Sequence, residues 1–201
     1  MTTLIAERLR QAAEDLPAQR VTLRVLAQAH GAATQGTLLL LLAAPCLLPV
    51  PGVGSVLGLG MAALAAAMWR GHAEHSLPSR VADFDMPRAW ARRVLLLLAA
   101  AYAAAGRVAR ERLHHLTSPG TRSWTASTVA LMAFIIVLPI PLGNVLPALA
   151  TMLLGLGLVF RDGVAVLLGF AMAALALVAT AGLALALWAW GTEWVTRWVL
   201  F

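Results

Sequence analysis

Leu48-Pro49-Val50-Pro51-Gly52-Val53-Gly54-Ser55-Val56-Leu57 and, about 90 residues later, Leu138-Pro139-Ile140-Pro141-Leu142-Gly143-Asn144-Val145-Leu146 share one plan. Each reads Leu-Pro-(Val/Ile)-Pro, then glycine, a small polar residue, Val and Leu. Each stands near the middle of a long run without charge, and the runs close on Trp69-Arg70 and Phe160-Arg161. The recurrence of every part in the same order reads as an internal repeat. A proline removes a backbone donor and pushes the preceding residue out of the α region. Two prolines two apart, followed by glycine, cannot sit inside a straight helix. Pro49, Pro51, Pro139 and Pro141 are therefore expected to split each run into two half-helices of roughly 20–27 Å.

Around these breaks the chain is strongly apolar. Hydrophobic residues make up 61% of its 201 residues and charged ones 12%, and the mean hydropathy is +0.82. A globule of this size has too much surface to hide that composition. An ordinary soluble enzyme and a disordered chain are excluded, and a membrane protein is indicated. A third uncharged run, about 164–190, has no break and makes a helix about 40 Å long, enough to cross with tilt. Trp188, Trp190, Trp194 and Trp198 stand at its end, where amphipathic rings favour the water boundary. Irregular backbone at membrane depth survives only against protein or a watery cavity, so the two breaks are expected to shelter each other.

All fifteen basic residues are arginine and the net charge is +6. No basic stripe with interleaved aromatics points to nucleic acid; the excess reads as cytoplasmic-side bias and contact with anionic lipid. Every arginine except Arg197 lies at or before Arg161. Two hairpins entering from the cytoplasm keep all of these inside, whereas single crossings would export those from Arg70 to Arg122. The bias thus favours hairpins. Residues 1–33 carry mixed charge and no apolar signal core, and read as a cytoplasmic segment with amphipathic helices near 3–14 and 22–30, Thr22 capping the second. The rest, 34–201, reads as a single membrane domain: repeat 1 at about 37–70, a connector at about 81–116, repeat 2 at about 125–161 and the final helix at about 164–190. Within the connector only Val94–Gly106 is free of charge, which is too short to span and suits an interfacial amphipathic helix bracketed by Trp90 and Trp124.

The segments LLLLLAAPCLLPVPGVGSVLGL (38–59) and LPIPLGNVLPALATMLLGLGLVFRDGVAVLLG (138–169), with the Arg-Val-Thr-Leu stretch at 20–23 ahead of them, resemble the two halves of the ExoD family of bacterial membrane proteins. The resemblance covers about residues 18–190. It implies an inner-membrane protein associated with exopolysaccharide production, without defining a molecular activity. The connector is more apolar at 94–105 than the family pattern leads one to expect.

Chemistry-bearing residues are few. His72-Ala73-Glu74-His75 lacks the i, i+4 spacing of a helical zinc pair, and no metal or cofactor is expected. His114-His115 reads as solvated, and Cys46 as a small packing residue. Ser55 and Asn144 are good N-cap residues where half-helices restart, and Gly54 and Gly143 allow close backbone approach. Paired helix starts inside a membrane can hold an anionic head group. Arg70 and Arg161 can reach lipid phosphate. The same residues also suit a plain packed kink. The fold expected is an all-α integral membrane protein with two proline-broken, re-entrant-like helical hairpin repeats, an amphipathic connector helix and a C-terminal transmembrane helix. Membrane lipids and a second copy in a homodimer are the expected partners. The functions expected are a non-catalytic role in exopolysaccharide synthesis or, from another class, a transporter or flippase for an anionic lipid or lipid-linked sugar carrier. An enzyme acting on a lipid ranks last.

Overall fold

The computed structural model describes residues 2–16, 21–30, 35–48, 53–71, 81, 83–138 and 143–199. Its helices are α1 (Thr2–Glu14), α2 (Leu23–His30), α3 (Gln35–Cys46), α4 (Val53–Trp69), α5 (Arg88–Val108), α6 (Arg122–Val137), α7 (Val145–Phe160) and α8 (Gly163–Val199). Two short strands, β1 (Val21–Thr22) and β2 (Asp85–Met86), pair antiparallel, and two 3-10 turns, His114–Thr117 and Pro119–Thr121, lead into α6. Among the described residues, three stretches are long and apolar enough to cross a membrane: Arg88–Val108, Pro119–Val137 and Gly163–Trp190.

Helices α3 and α6 end shortly before the double prolines. Pro49, Pro51, Gly52, Pro139 and Pro141 themselves lie outside the described residues, but their approaches are visible. Towards Pro49, α3 unwinds into tighter i→i+3 bonds, with the Leu47 and Leu48 amides donating to the Ala44 and Pro45 carbonyls. Leu138, just before Pro139, has left the helix for φ −67°, ψ 133°. Pro147 sits in the first turn of α7, where no intrahelical donor is lost.

Helix α3 is buried from Leu38 through Cys46, so it packs on all sides against protein. Gly60 of α4 lies beside Leu42, which sets α3 and α4 antiparallel. Helix α3 also packs on α7, and α4 on α6. Gly36, at the start of α3, meets the carbonyl of Gly155 and the side chains of Leu158 and Val159 near the end of α7. Gly54 and Gly58, at the start of α4, meet Ile136, Val137 and Ala133 at the end of α6. Each half-helix of one proline-broken segment thus runs antiparallel to the opposite half of the other. Helix α8 returns along α7, with Val166 against Gly157 and Leu154 against Gly169. Beyond the bundle α8 continues bare, and residues 181–190 are exposed throughout.

A second layer is built from the N-terminal segment and the connector. Helix α5 buries one stripe, Ala91, Val94, Leu95, Leu98, Ala99 and Tyr102, and leaves Arg92, Arg93 and Arg107 outward. Helix α1 packs against α5 through Ala6, Leu9 and Ala13, its charges facing away. The β1–β2 pair, with the Leu23 amide donating to the Phe84 carbonyl, clasps the two segments together.

Several boundaries differ from the sequence reading. The connector helix is 21 residues long and takes in its flanking arginines, which are good helix formers; by length alone it can span. Thr22 lies in β1, not in a cap. Helix α4 starts at Val53, so Ser55 stands inside its first turn and not at the N-cap. Helix α8 runs on through Gly191 to Val199, since a lone glycine is tolerated inside a helix and no proline follows it there.

Candidate functional site

Two places gather the residues singled out from sequence. The first is the junction where α4 and α7 start and α6 ends. A Cβ placed on Gly54 would lie 2.5 Å from Nδ2 of Asn144 and 2.9 Å from the carbonyl oxygen of Ile136. Only glycine lets these three chains meet so closely. Asn144 occupies the N-cap position of α7, yet its side chain makes no capping bond. Its Oδ1 is buried without a hydrogen-bond partner, an arrangement that costs roughly 1–3 kcal/mol. Gly143 is half-buried beside it, whereas Ser55 is exposed and is not drawn into the contact. The junction therefore presents one buried acceptor next to the free amides of a helix start.

The second place lies at the outer ends of the same helices. Arg70 and Arg161 are both exposed there. Helix α4 ends through Gly71 at φ 76°, a left-handed conformation that glycine adopts freely. Helix α7 ends differently. Its left-handed residue is Arg161 itself, at φ 52°, and the Asp162 amide donates back to the Gly157 carbonyl at 3.0 Å. This closure ordinarily uses glycine; an L side chain there costs roughly 1–2 kcal/mol.

Asp162, read from sequence only as part of a turn, proves to be the hub of this end. Its side chain is 3% exposed. Oδ1 accepts from Nε of Arg112 at 3.0 Å and from the Val164 amide at 3.0 Å, capping α8. Oδ2 accepts from Nη2 of Arg112 at 3.3 Å and from the Arg110 amide at 3.2 Å. The Gly163 amide donates to the Arg112 carbonyl at 2.8 Å. Burial pushes the carboxyl upward, but the Arg112 guanidinium and the two amides outweigh it and hold it below the ordinary carboxylate range. Leu113, next to Arg112, is the other non-glycine residue with positive φ among the described residues. Strain is thus concentrated beside both members of the ion pair. A lone acid between two uncharged runs was the available sequence signal; its partner, fifty positions away, carried none.

The described end of the molecule that holds Asp162 is also the basic end. Arg122, opening α6, lies against Gly71 at the close of α4, and Arg107 and Arg110 flank the close of α5. The junction end lies within runs 25–69 and 123–160, which contain no charged residue. His72, Glu74 and His75 lie outside the described residues.

No match was found among curated proteins or among solved structures. The family model described as "Exopolysaccharide synthesis, ExoD" matches residues 5–182. That match takes in both proline-broken segments, the connector and the start of α8, and with it the chain belongs to the ExoD family.

Proposed function

We propose that this chain is a non-catalytic component of exopolysaccharide synthesis, seated in the bacterial inner membrane. In this reading the two proline-broken segments are re-entrant hairpin repeats that enter from the cytoplasmic side and shelter each other's bends. Helix α8 is then the crossing element, and the α1–α5 layer lies on the cytoplasmic surface. The observation that carries the reading is the seating of the Asn144 amide where Gly54 lacks a side chain. It supports two bends that cover one another and keep irregular backbone from lipid. The charges support the same orientation, since arginines cluster at the outer ends and none lies at the bends. Charged α1 packed along α5 also favours an interfacial α5 over one immersed in lipid. The bare faces of Leu175, Val178 and Leu185 on α8 suit lipid or a second copy in a homodimer.

A second reading, a transporter or flippase, draws on the unpartnered Oδ1 of Asn144 beside a helix start. An acceptor there suits a guest hydroxyl better than a phosphate, which weakens the expectation of an anionic guest. The test is complementation of a deletion strain, with exopolysaccharide output and protein level both measured. Gly54→Leu is expected to abolish output by forcing the bends apart. Asn144→Leu at normal level and normal output removes the second reading and leaves the first intact. Normal output with Gly54→Leu overturns the first.

A further inference from the structure

We infer that the outer end of α7, where exposed Arg161 and Arg110 adjoin the Arg112–Asp162 joint and Arg107 stands in the last turn of α5, binds the phosphate of an anionic phospholipid headgroup. The inference rests on α8 crossing the membrane and is independent of how the proline-broken segments enter it.

Placement fixes the level. Asp162 caps α8 immediately before Gly163, the first residue of a stretch apolar and long enough to span. From there to exposed Trp188 the helix rises about 38 Å, which matches a bilayer measured between headgroup regions. The aromatic end occupies one interface, so the arginine end occupies the other, at the depth of lipid phosphate.

Charge gives the partner. The one buried carboxylate is already satisfied by Arg112. Arg110 spends only its backbone amide on Asp162, and its side chain is exposed. Arg107 and Arg161 are exposed too, and among the described residues Glu111 is the only other acid beside them. Among the described residues here, exposed guanidinium groups outnumber the carboxylates that could take them up. Guanidinium groups suit phosphate oxygens, which they can engage through two parallel hydrogen bonds.

Backbone geometry indicates that the Arg161 side chain matters. Helix α4 closes through a left-handed glycine two residues past its end, and α7 through a left-handed arginine directly after its own. The chain holds a cation where glycine fits the backbone better. An outlier held in place by its surroundings is the kind of feature that points to a use for the side chain.

The full chain, reconstituted in phosphatidylcholine vesicles containing spin-labelled phosphatidylglycerol or spin-labelled phosphatidylcholine, tests this directly. The native protein is expected to prefer phosphatidylglycerol. Arg161→Gly and Arg110→Gln are each expected to lower that preference by about fivefold, in keeping with the contribution of one basic residue at an anionic surface. Arg161→Gly suits φ 52°, so its melting temperature should hold or rise, and Arg110→Gln keeps the amide that binds Asp162. Unchanged preference in both variants overturns the inference. Displacement of the labelled lipid by millimolar inorganic phosphate, or capture of alginate that both substitutions abolish, overturns it in favour of a soluble anion or an acidic polymer.

Discussion

Arg112 and Asp162, fifty residues apart, form a two-point ion pair that ties the end of the connector to the first turn of α8. The carboxylate is buried and the guanidinium is 42% exposed. One acid therefore caps a helix long and apolar enough to span a membrane, closes α7 and anchors the segment after α5. A pair of this kind is costly to break from one side, because the other charge is left without compensation.

Asp162 makes stability depend on acid pH. Its folded carboxyl titrates below the ordinary value of 3.8, and the unfolded chain restores a value near 3.9. The charged form therefore contributes stability that is fully present above about pH 4 and is lost as pH falls through the lower folded value. Melting temperature in detergent is expected to be flat from pH 7 to pH 5 and to fall below about pH 4. Asp162→Asn should cost about 1–3 kcal/mol at neutral pH and remove that share of the acid sensitivity. A mutant melting curve with the native pH dependence would refute this role.

Gly54 should tolerate no side chain. Its Cβ would meet the Asn144 amide at 2.5 Å and the fixed carbonyl of Ile136 at 2.9 Å. Gly54→Ala is expected to cost about 1–3 kcal/mol, the range for overpacked interiors. Adding Asn144→Ala should recover part of this loss but not all, since the carbonyl remains. Thermal melts of the two single variants and the double variant give the coupling; strict additivity would show that the residues do not touch.

Three glycines on other helices separate close packing from open surface. Gly36 and Gly155 lie so close that a Cβ on either would come within 3 Å of the other's carbonyl oxygen. Gly36→Ala and Gly155→Ala are each expected to lower stability by about 1–3 kcal/mol. Nothing stands within 4 Å of a Cβ at Gly182, and Gly182→Ala should leave the melt unchanged or raise it, since alanine favours helix. Equal losses at Gly36 and Gly182 would contradict the packing described.

Much of this fold was legible because proline acts locally. The double-proline segments marked where α3 and α6 end, and Leu138 left the helix as a residue before proline should. Hydropathy marked α8 as a span. What sequence did not reveal depended on partners distant in the chain. The α1–α5 pairing drew the arginines of the connector into one long helix, which composition alone had cut to its uncharged middle. Ser55 looked equivalent to Asn144, but α4 begins three residues earlier than the motif suggested, so Ser55 points outward while Asn144 faces Gly54. Asp162 looked like a turn residue because its meaning lies in Arg112.

The decisive measurement is labelling of single cysteines from either side of sealed, oriented inner-membrane vesicles, in a Cys46→Ala background. Cysteines replacing Arg8, Arg70, Thr117 and Arg161 should all react only from the cytoplasmic face, and one replacing Thr192 only from the opposite face. Reaction of Arg70→Cys or Thr117→Cys from the outer face would mean that a proline-broken segment crosses the bilayer once, and would contradict hairpins that fold back on each other.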